Sequence, residues 1–331
     1  MLKHIFLAAS LVIFMMPFAK SHSMSEIYVS PTGNDSNDGA AETPLRSLQK
    51  ALDIAYAQSA DSNIDVRIGN GIYMGQSAIV NLKEDIPRVT IVGELKDGKR
   101  PIFAKGKKNR YWLRINANRG QETKLSIKNL EIRDYFAALL LFGNRDNIKM
   151  GNYGSHIENN IFRRIGSTPQ TSTGALSTGV LILANSSKNI VINNQFLDIE
   201  NATGCGALHA LYIAHFSSKN KISNNLFKNT CGSPVKLRDR SNENLVSDNR
   251  FEEIIGVPSI QEWFCDKDFK KNYCTKKLGE CPSTGNIIRN NAFMGSDDRG
   301  SASGNNVQIF GKDIPRSWCM KSQFSSPRFL N

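Results

Sequence analysis

Short runs of alternating apolar and polar residues recur along this chain, and each recurrence closes on a phenylalanine. Gly179-Val180-Leu181-Ile182-Leu183 is followed by Asn189 and then by Asn193-Asn194-Gln195-Phe196. Ala210-Leu211-Tyr212-Ile213-Ala214 is followed by Asn220 and by Asn224-Asn225-Leu226-Phe227. Pro234-Val235-Lys236-Leu237-Arg238 is followed by Asn244 and by Asp248-Asn249-Arg250-Phe251. Partial copies lie at Ile157–Phe162 and Asn286–Phe293. The closing residues Phe162, Phe196, Phe227, Phe251 and Phe293 are separated by 34, 31, 24 and 42 residues. A period of this size, made of runs with a side-chain repeat of two, predicts a solenoid of strands.

Counted from Asn189, Asn220 and Asn244, the three copies align without a gap. That alignment places Val180 and Ile182 inside, stacked on Leu211 and Ile213, which stack on Val235 and Leu237. Successive coils lie about 4.8 Å apart. The outward positions form two columns, Leu181-Tyr212-Lys236 and Leu183-Ala214-Arg238. The recurrent Asn predicts an amide ladder, and the recurrent Phe an internal aromatic column. The Leu-x-x-Leu-x-Leu units of a leucine-rich repeat are absent.

An open solenoid end exposes apolar core and needs a cap. Ile27-Tyr28-Val29 reads as a strand, followed by a Gly/Asn/Asp loop through Gly39. Thr43-Pro44 then predicts a helix, with Thr43 as N-cap and Pro44 in its first turn. Leu45, Leu48, Leu52 and Ala55 give it one apolar stripe. The cap spans about 24–60. Two insertions interrupt the coils, at about 166–179 and 258–284. The expected organisation is one all-β domain over 24–331.

The first residues set the destination. Lys3 and His4 precede the apolar run Ile5–Ala19, and small residues follow at Ser21 and Ser23. This is the pattern of a signal peptide over 1–23, so the mature protein is expected to be secreted or periplasmic, without a stable membrane span. Removing Lys3 and Lys20 lowers the formal charge from +12 to +10. A basic exported protein favours polyanionic partners. Six cysteines in the C-terminal half of an exported chain predict disulfides. Cys205 and Cys231 sit at similar offsets in consecutive copies and are expected to pair. For Cys265, Cys274, Cys281 and Cys319 three pairings stay open.

The outward columns carry the candidate chemistry. Lys236 and Arg238 are two apart on one strand, roughly 7 Å from each other on the same face. Tyr212 lies one coil away from Lys236. His209 precedes the Tyr212 strand, and His215 and Arg240 sit at strand ends beside the patch. Such a group suits β-elimination from a uronate polymer. That reaction needs cationic groups against the carboxylate, a base for the neighbouring C–H and an acid for the leaving oxygen. Arg238 is the expected carboxylate clamp, and Lys236 the base if nearby cations lower its pKa. Tyr212 or His209 would supply the acid, while His215 and Arg240 would bind substrate. A glycoside hydrolase needs two carboxylates across a cleft, and Asp239 is the one acid on the patch strands.

Several stretches resemble secreted proteins of known fold. Tyr28-Val29-Ser30-Pro31-Thr32-Gly33-Asn34-Asp35, Thr43-Pro44-Leu45-Arg46-Ser47-Leu48 and Ile68-Gly69-Asn70-Gly71-Ile72-Tyr73 resemble the opening of right-handed parallel β-helix (pectate-lyase-like) proteins. Gly232-Ser233-Pro234-Val235-Lys236-Leu237-Arg238-Asp239 resembles a coil of the alginate lyase/chondroitinase B family, with Arg238 at the position of its catalytic arginine. The family's lysine position falls near His215-Phe216, where no lysine stands, so the resemblance implies a different base. Ca2+ is the one cofactor it raises, although the paired glutamates that bind calcium there are missing; the residues themselves point to no metal.

The reading is therefore an exported lyase acting on an acidic polysaccharide, monomeric and without nucleic acid as partner. Its alternatives are a non-catalytic carbohydrate-binding or envelope-associated β-helix and a glycoside hydrolase. A lyase predicts a deep groove over Tyr212, Lys236 and Arg238, walled by the two insertions.

Overall fold

The computed structural model describes residues 24–104, 111–167, 176–254, 257–264, 280–295, 306–308 and 328–330. The signal segment 1–23 and Cys265, Cys274 and Cys319 lie outside the described residues. Three long sheets wind around one core. One has ten strands, from Met24–Val29 to Arg328–Leu330; two have eight, from Ile72–Met74 to Ala292–Met294 and from Ala78–Asn81 to Val307–Gln308. A three-stranded ribbon joins Gln121–Glu122, Asn152–Tyr153 and Ser186–Ser187. Neighbouring strands are parallel, and each pairs with its counterpart one coil away. This is a parallel β-helix.

The repeated Asn and Phe residues explain why the coils stay in register. Asn160, Asn194, Asn225, Asn249 and Asn291 form one ladder, buried as far as Asn249, each Nδ2 donating to the next Oδ1 at 3.0–3.1 Å. Asn189, Asn220, Asn244 and Asn286 form a second, at 2.8–3.0 Å. Each Oδ1 also accepts the backbone N–H of the ladder residue one coil back. The residue before each rung of the first ladder has a left-handed backbone: Asn159, Asn193, Asn224, Asp248 and Asn290, φ 53 to 59°. Asn and Asp tolerate that conformation best after Gly. The Phe column is continuous from Phe162 to Phe293, with ring centroids 4.8–5.2 Å apart.

Asn225→Ala should therefore lower stability by about 2–4 kcal/mol. It orphans the buried N–H of Asn194 and removes donors to Val191 and Ser223 carbonyls, each worth about 1–3 kcal/mol when left unmet. Denaturant unfolding of the two proteins checks this; a loss below about 1 kcal/mol would deny the ladder its structural role.

The cap helix is shorter than the sequence suggests. It spans Leu48–Ala55, and its N-cap is Ser47, whose hydroxyl accepts from Lys50 N–H. Thr43 and Pro44 lie before it, because Asp35 accepts the N–H groups of Arg46 and Ser47 and holds this stretch extended. Leu45, Leu48, Leu52 and Ala55 are all buried over the first coils.

One register differs from the expectation. Val180, Leu211, Ile213, Val235 and Leu237 are buried as expected, but Ile182 points outward, opposite Tyr212. Leu181 and Leu183 take the inward places, opposite Leu211 and Ile213. The cause is a one-residue difference in the following turn. Asn185 alone makes it in this coil, whereas His215-Phe216 and Asp239-Arg240 make it in the next two, all with φ between 50 and 69°. The insertion at 258–284 also contains a strand, Ile260–Trp263, that continues the third sheet. Its inward Glu262, opposite Leu237, breaks the apolar pattern. Cys205 and Cys231 are disulfide-bonded, with Cα atoms 5.0 Å apart. Among the described residues no helix is long and apolar enough to cross a membrane.

Candidate functional site

Three consecutive strands of the third sheet, Leu211–Ala214, Val235–Arg238 and Ile260–Trp263, place the candidate residues in two outward columns. Tyr212, Lys236 and Gln261 form one; Ala214, Arg238 and Trp263 form the other. Lys236 Nζ donates to Gln261 Oε1. It also lies 5.6 Å from the Trp263 ring centroid. The guanidinium of Arg238 packs 4.4 Å over the same ring. Arg238 Nε donates to Glu280 Oε2 at 2.6 Å, and a terminal nitrogen donates to Tyr212 Oη at 2.7 Å.

Arginine has no acceptor. Tyr212 Oη must therefore be the acceptor in its bond with Arg238, which leaves the phenolic proton free to be donated elsewhere. Burial raises the pKa of Tyr212, while Arg238 opposes the rise. Burial and then the neighbouring charge of Arg238 bring Lys236 down to about 7. His209 Nδ1 lies 2.8 Å from the carbonyl of Ser233, so Nδ1 carries the proton and Nε2 is an acceptor. Its ring stacks on Tyr212 at 5.8 Å. Burial, with Lys236 adding, lowers its pKa to about 3. At neutral pH His209 is thus an uncharged imidazole and a weak base.

His215 and Arg240 belong to an adjoining network on the two-residue turns. His215 Nδ1 donates to Asp239 Oδ2 at 2.9 Å, and its Nε2 accepts from Arg145 at 2.7 Å. Arg240 donates to the other oxygen of Asp239 at 2.7 Å and stacks over Phe216. His215 and Asp239 are fully buried. Two successive left-handed residues in each of two adjacent coils, Phe among them, are backbone conformations that carry strain, and such strain clusters at functional positions.

The patch is recessed. Lys236 is 7% exposed, His209 4% and His215 1%. Gln261 and Trp263 of the next coil and Glu280 of the insertion's return pack against it. Of the expected groove walls, 166–179 and 258–284, residues 168–175 and 265–279 lie outside the described residues. The role expected of Arg238 also changes, because its Nε and one terminal nitrogen are already engaged. Glu280, Gln261, Trp263 and Arg145 escaped the sequence reading. The first three lie within the apparent insertion, and only the alternation Ile260-Gln261-Glu262-Trp263 could have drawn attention to two of them.

His215, Asp239 and Glu280 offer atoms within 4.8 Å of one another, a spacing that could hold a metal ion. The donor set does not suit Ca2+, which takes six to eight oxygens. Each of the three is also bonded to a guanidinium: His215 to Arg145, Asp239 to Arg240 and Glu280 to Arg238. Those cations occupy the electrostatic place of a metal. A cavity of about 260 Å3 on the second sheet, near Asn70, Arg100 and Glu131, lies away from these groups. Its acid, Glu131, faces Arg133 and Arg163.

No protein-family model matches the sequence, and no curated protein matches it. Among solved structures, it is similar to the GH136 lacto-N-biosidase from Eubacterium ramulus, at TM-score 0.46 and 14% identity over 82% of this chain and 55% of that one. It is also similar to pectate lyase Pel9A, at TM-score 0.39 and 14% identity over 83% of this chain and 62% of that one. An alginate lyase from Paenibacillus sp. str. FPU-7 aligns at TM-score 0.40 and 12% identity, over 80% of this chain and 95% of its own. The chain thus spans little more than half the length of the biosidase. The assignment of the fold rests on the strand pairing described above.

Proposed function

We propose that this chain is an exported β-helix protein, one domain over 24–331, that cleaves an acidic, uronate-containing polysaccharide by β-elimination. Lys236 is the base and Tyr212 the acid. The observation that carries this reading is the recessed trio itself: a buried lysine tuned to about 7 beside a half-buried arginine that holds a tyrosine hydroxyl with its proton free. A general base works best with a pKa near the operating pH. The bond between the ring carbon next to the carboxylate and its hydrogen breaks, and the proton passes to neutral Lys236. The electron pair forms a carbon–carbon double bond, and the bond to the leaving oxygen breaks as Tyr212 protonates it. The Lys236 ammonium then returns a proton to the Tyr212 phenolate through solvent. Arg238, with Arg145 and Arg240 nearby, makes the surroundings cationic and favours the substrate carboxylate. Hydrolysis is less well served, since Asp239 and Glu280 are both tied to guanidiniums.

A panel of polyuronates and glycosaminoglycans, read by the ultraviolet absorbance of unsaturated chain ends, tests the proposal. Cleavage that rises in absorbance supports it. Cleavage without absorbance would point to hydrolysis, and binding without cleavage to a carbohydrate-binding module. Tyr212→Phe should lower turnover by about 10²-fold or more while leaving affinity close to the parent's. Because guanidiniums already satisfy His215, Asp239 and Glu280, a chelator should leave the rate unchanged. A rate lost on chelation and restored by Ca2+ would contradict this reading of the charge balance.

A further inference from the structure

Resting on the lyase reading, we infer that Glu280 is a positioning residue of the reaction: through Arg238 it fixes the Tyr212 hydroxyl with its proton directed toward substrate. Three contacts hold the guanidinium, and they come from three directions. Tyr212 Oη takes one terminal nitrogen at 2.7 Å, the Trp263 ring covers one face at 4.4 Å, and Glu280 Oε2 takes Nε at 2.6 Å. A planar guanidinium with two in-plane bonds and one stacked face has no rotation left. Glu280 is the charged member of that set and is fully buried.

The backbone shows that Glu280 is placed on purpose by the chain rather than by its own flexibility. Its neighbour Cys281 is disulfide-bonded. Cys281 N–H donates to Asp239 Oδ1 at 3.3 Å, and its carbonyl accepts from Arg240 N–H at 3.0 Å. Ser283 N–H donates to Glu262, and Ser283 Oγ accepts from Ser241 N–H at 3.1 Å. The return of the insertion is thus bolted to the turn that follows Arg238. A neutral acceptor would orient Arg238 as well, but it would not balance its charge. Burial is the main reason the Tyr212 pKa is raised, Arg238 opposes the rise, and Glu280 adds to it. A tyrosine meant to give up its proton only in the transition state must hold it in the resting enzyme, and a carboxylate behind Arg238 keeps that arginine from drawing the proton off.

The test is Glu280→Gln, which keeps the shape and removes the charge. Its first readout needs no substrate. Alkaline phenolate absorbance is recorded with and without Tyr212→Phe, so that the difference is the Tyr212 step. In Glu280→Gln that step should move to lower pH by about one unit. In turnover assays the alkaline limb of the pH profile should follow it downward, and the rate at its maximum should fall about 10-fold or more. Glu280→Asp keeps the charge but shortens the reach; it should hold the Tyr212 step in place and lose rate. An unchanged Tyr212 step in Glu280→Gln, or a full rate in Glu280→Asp, overturns the inference. If Glu280→Gln does not fold, Glu280→Asp alone decides, because a purely structural carboxylate would leave its rate intact once folded. A parent that cleaves no uronate polymer counts against the lyase reading, and the tyrosine titration then still judges the coupling of Glu280 to Tyr212.

Discussion

Arg238→Ala should be both inactive and unstable. Arg238 is the shared partner of two groups, so the substitution does two separate things. It takes the Arg238 donor from Tyr212 Oη, and the acid loses its orientation. It also leaves the Glu280 carboxylate fully buried without its guanidinium. Removing one partner of a buried charge pair costs about 3–5 kcal/mol. Loss of a preorganised electrostatic group costs on the order of 10²–10³ in turnover. The two effects can be separated. Arg238→Ala combined with Glu280→Ala should recover much of the stability, since the carboxylate leaves with its guanidinium, and none of the turnover. Thermal melting and a uronate-cleavage assay on the parent and the two variants check this. Full activity in a folded Arg238→Ala protein would sink the site assignment, and equal melting of single and double variants would remove Glu280 as the reason for instability.

The fold was legible because its repeats are chemical as well as periodic. An Asn at each rung and a Phe at each close can be counted, and both ladders and the Phe column stand where the counting put them. The Cys205–Cys231 bridge followed from the same offsets. The same counting misplaced Ile182, because an alignment anchored on Asn189 cannot show that the turn before it is one residue shorter than its neighbours. The extra residue in the next two turns is the feature that aims His215 at Asp239. The column of Tyr212 and Lys236 could be read from strand alternation, since side chains two apart share a face. Glu280 could not. It lies 42 residues from Arg238 in sequence, beyond a Cys-rich segment, and nothing local marks an acid that will meet an arginine. Periodicity reports neighbours within the coil and one coil away, whereas contacts made by an insertion depend on how that insertion returns.

Lys236→Met should make the protein more stable and sharply lower turnover. Lys236 is a buried ammonium whose pKa falls from its ordinary value near 10.5 to about 7, first through burial and then through Arg238. A lowered lysine pKa means that the unfolded chain binds the proton more tightly than the folded one. Stability therefore rises with pH between about 7 and 10.5, where the unfolded state alone is fully protonated. Below about 7 both states carry the proton and the penalty is constant. Each pKa unit corresponds to about 1.4 kcal/mol. Lost contacts with Gln261 and Trp263 offset part of the gain, so Lys236→Met should add about 1–3 kcal/mol at pH 7. The gain should shrink toward pH 10, where the parent lysine is already neutral when folded. Turnover should fall by about 10²–10⁴-fold, the usual share of a general base. In the parent, the acid limb of the pH–rate profile should lie near 7, with activity rising as Lys236 loses its proton. Denaturant unfolding at pH 7 and at pH 10, beside initial rates from pH 5 to pH 9, gives both halves of the comparison. A surface lysine in Lys236's place would show no gain from methionine and no limb near neutrality; a buried lysine that is only structural would show the gain and keep the rate.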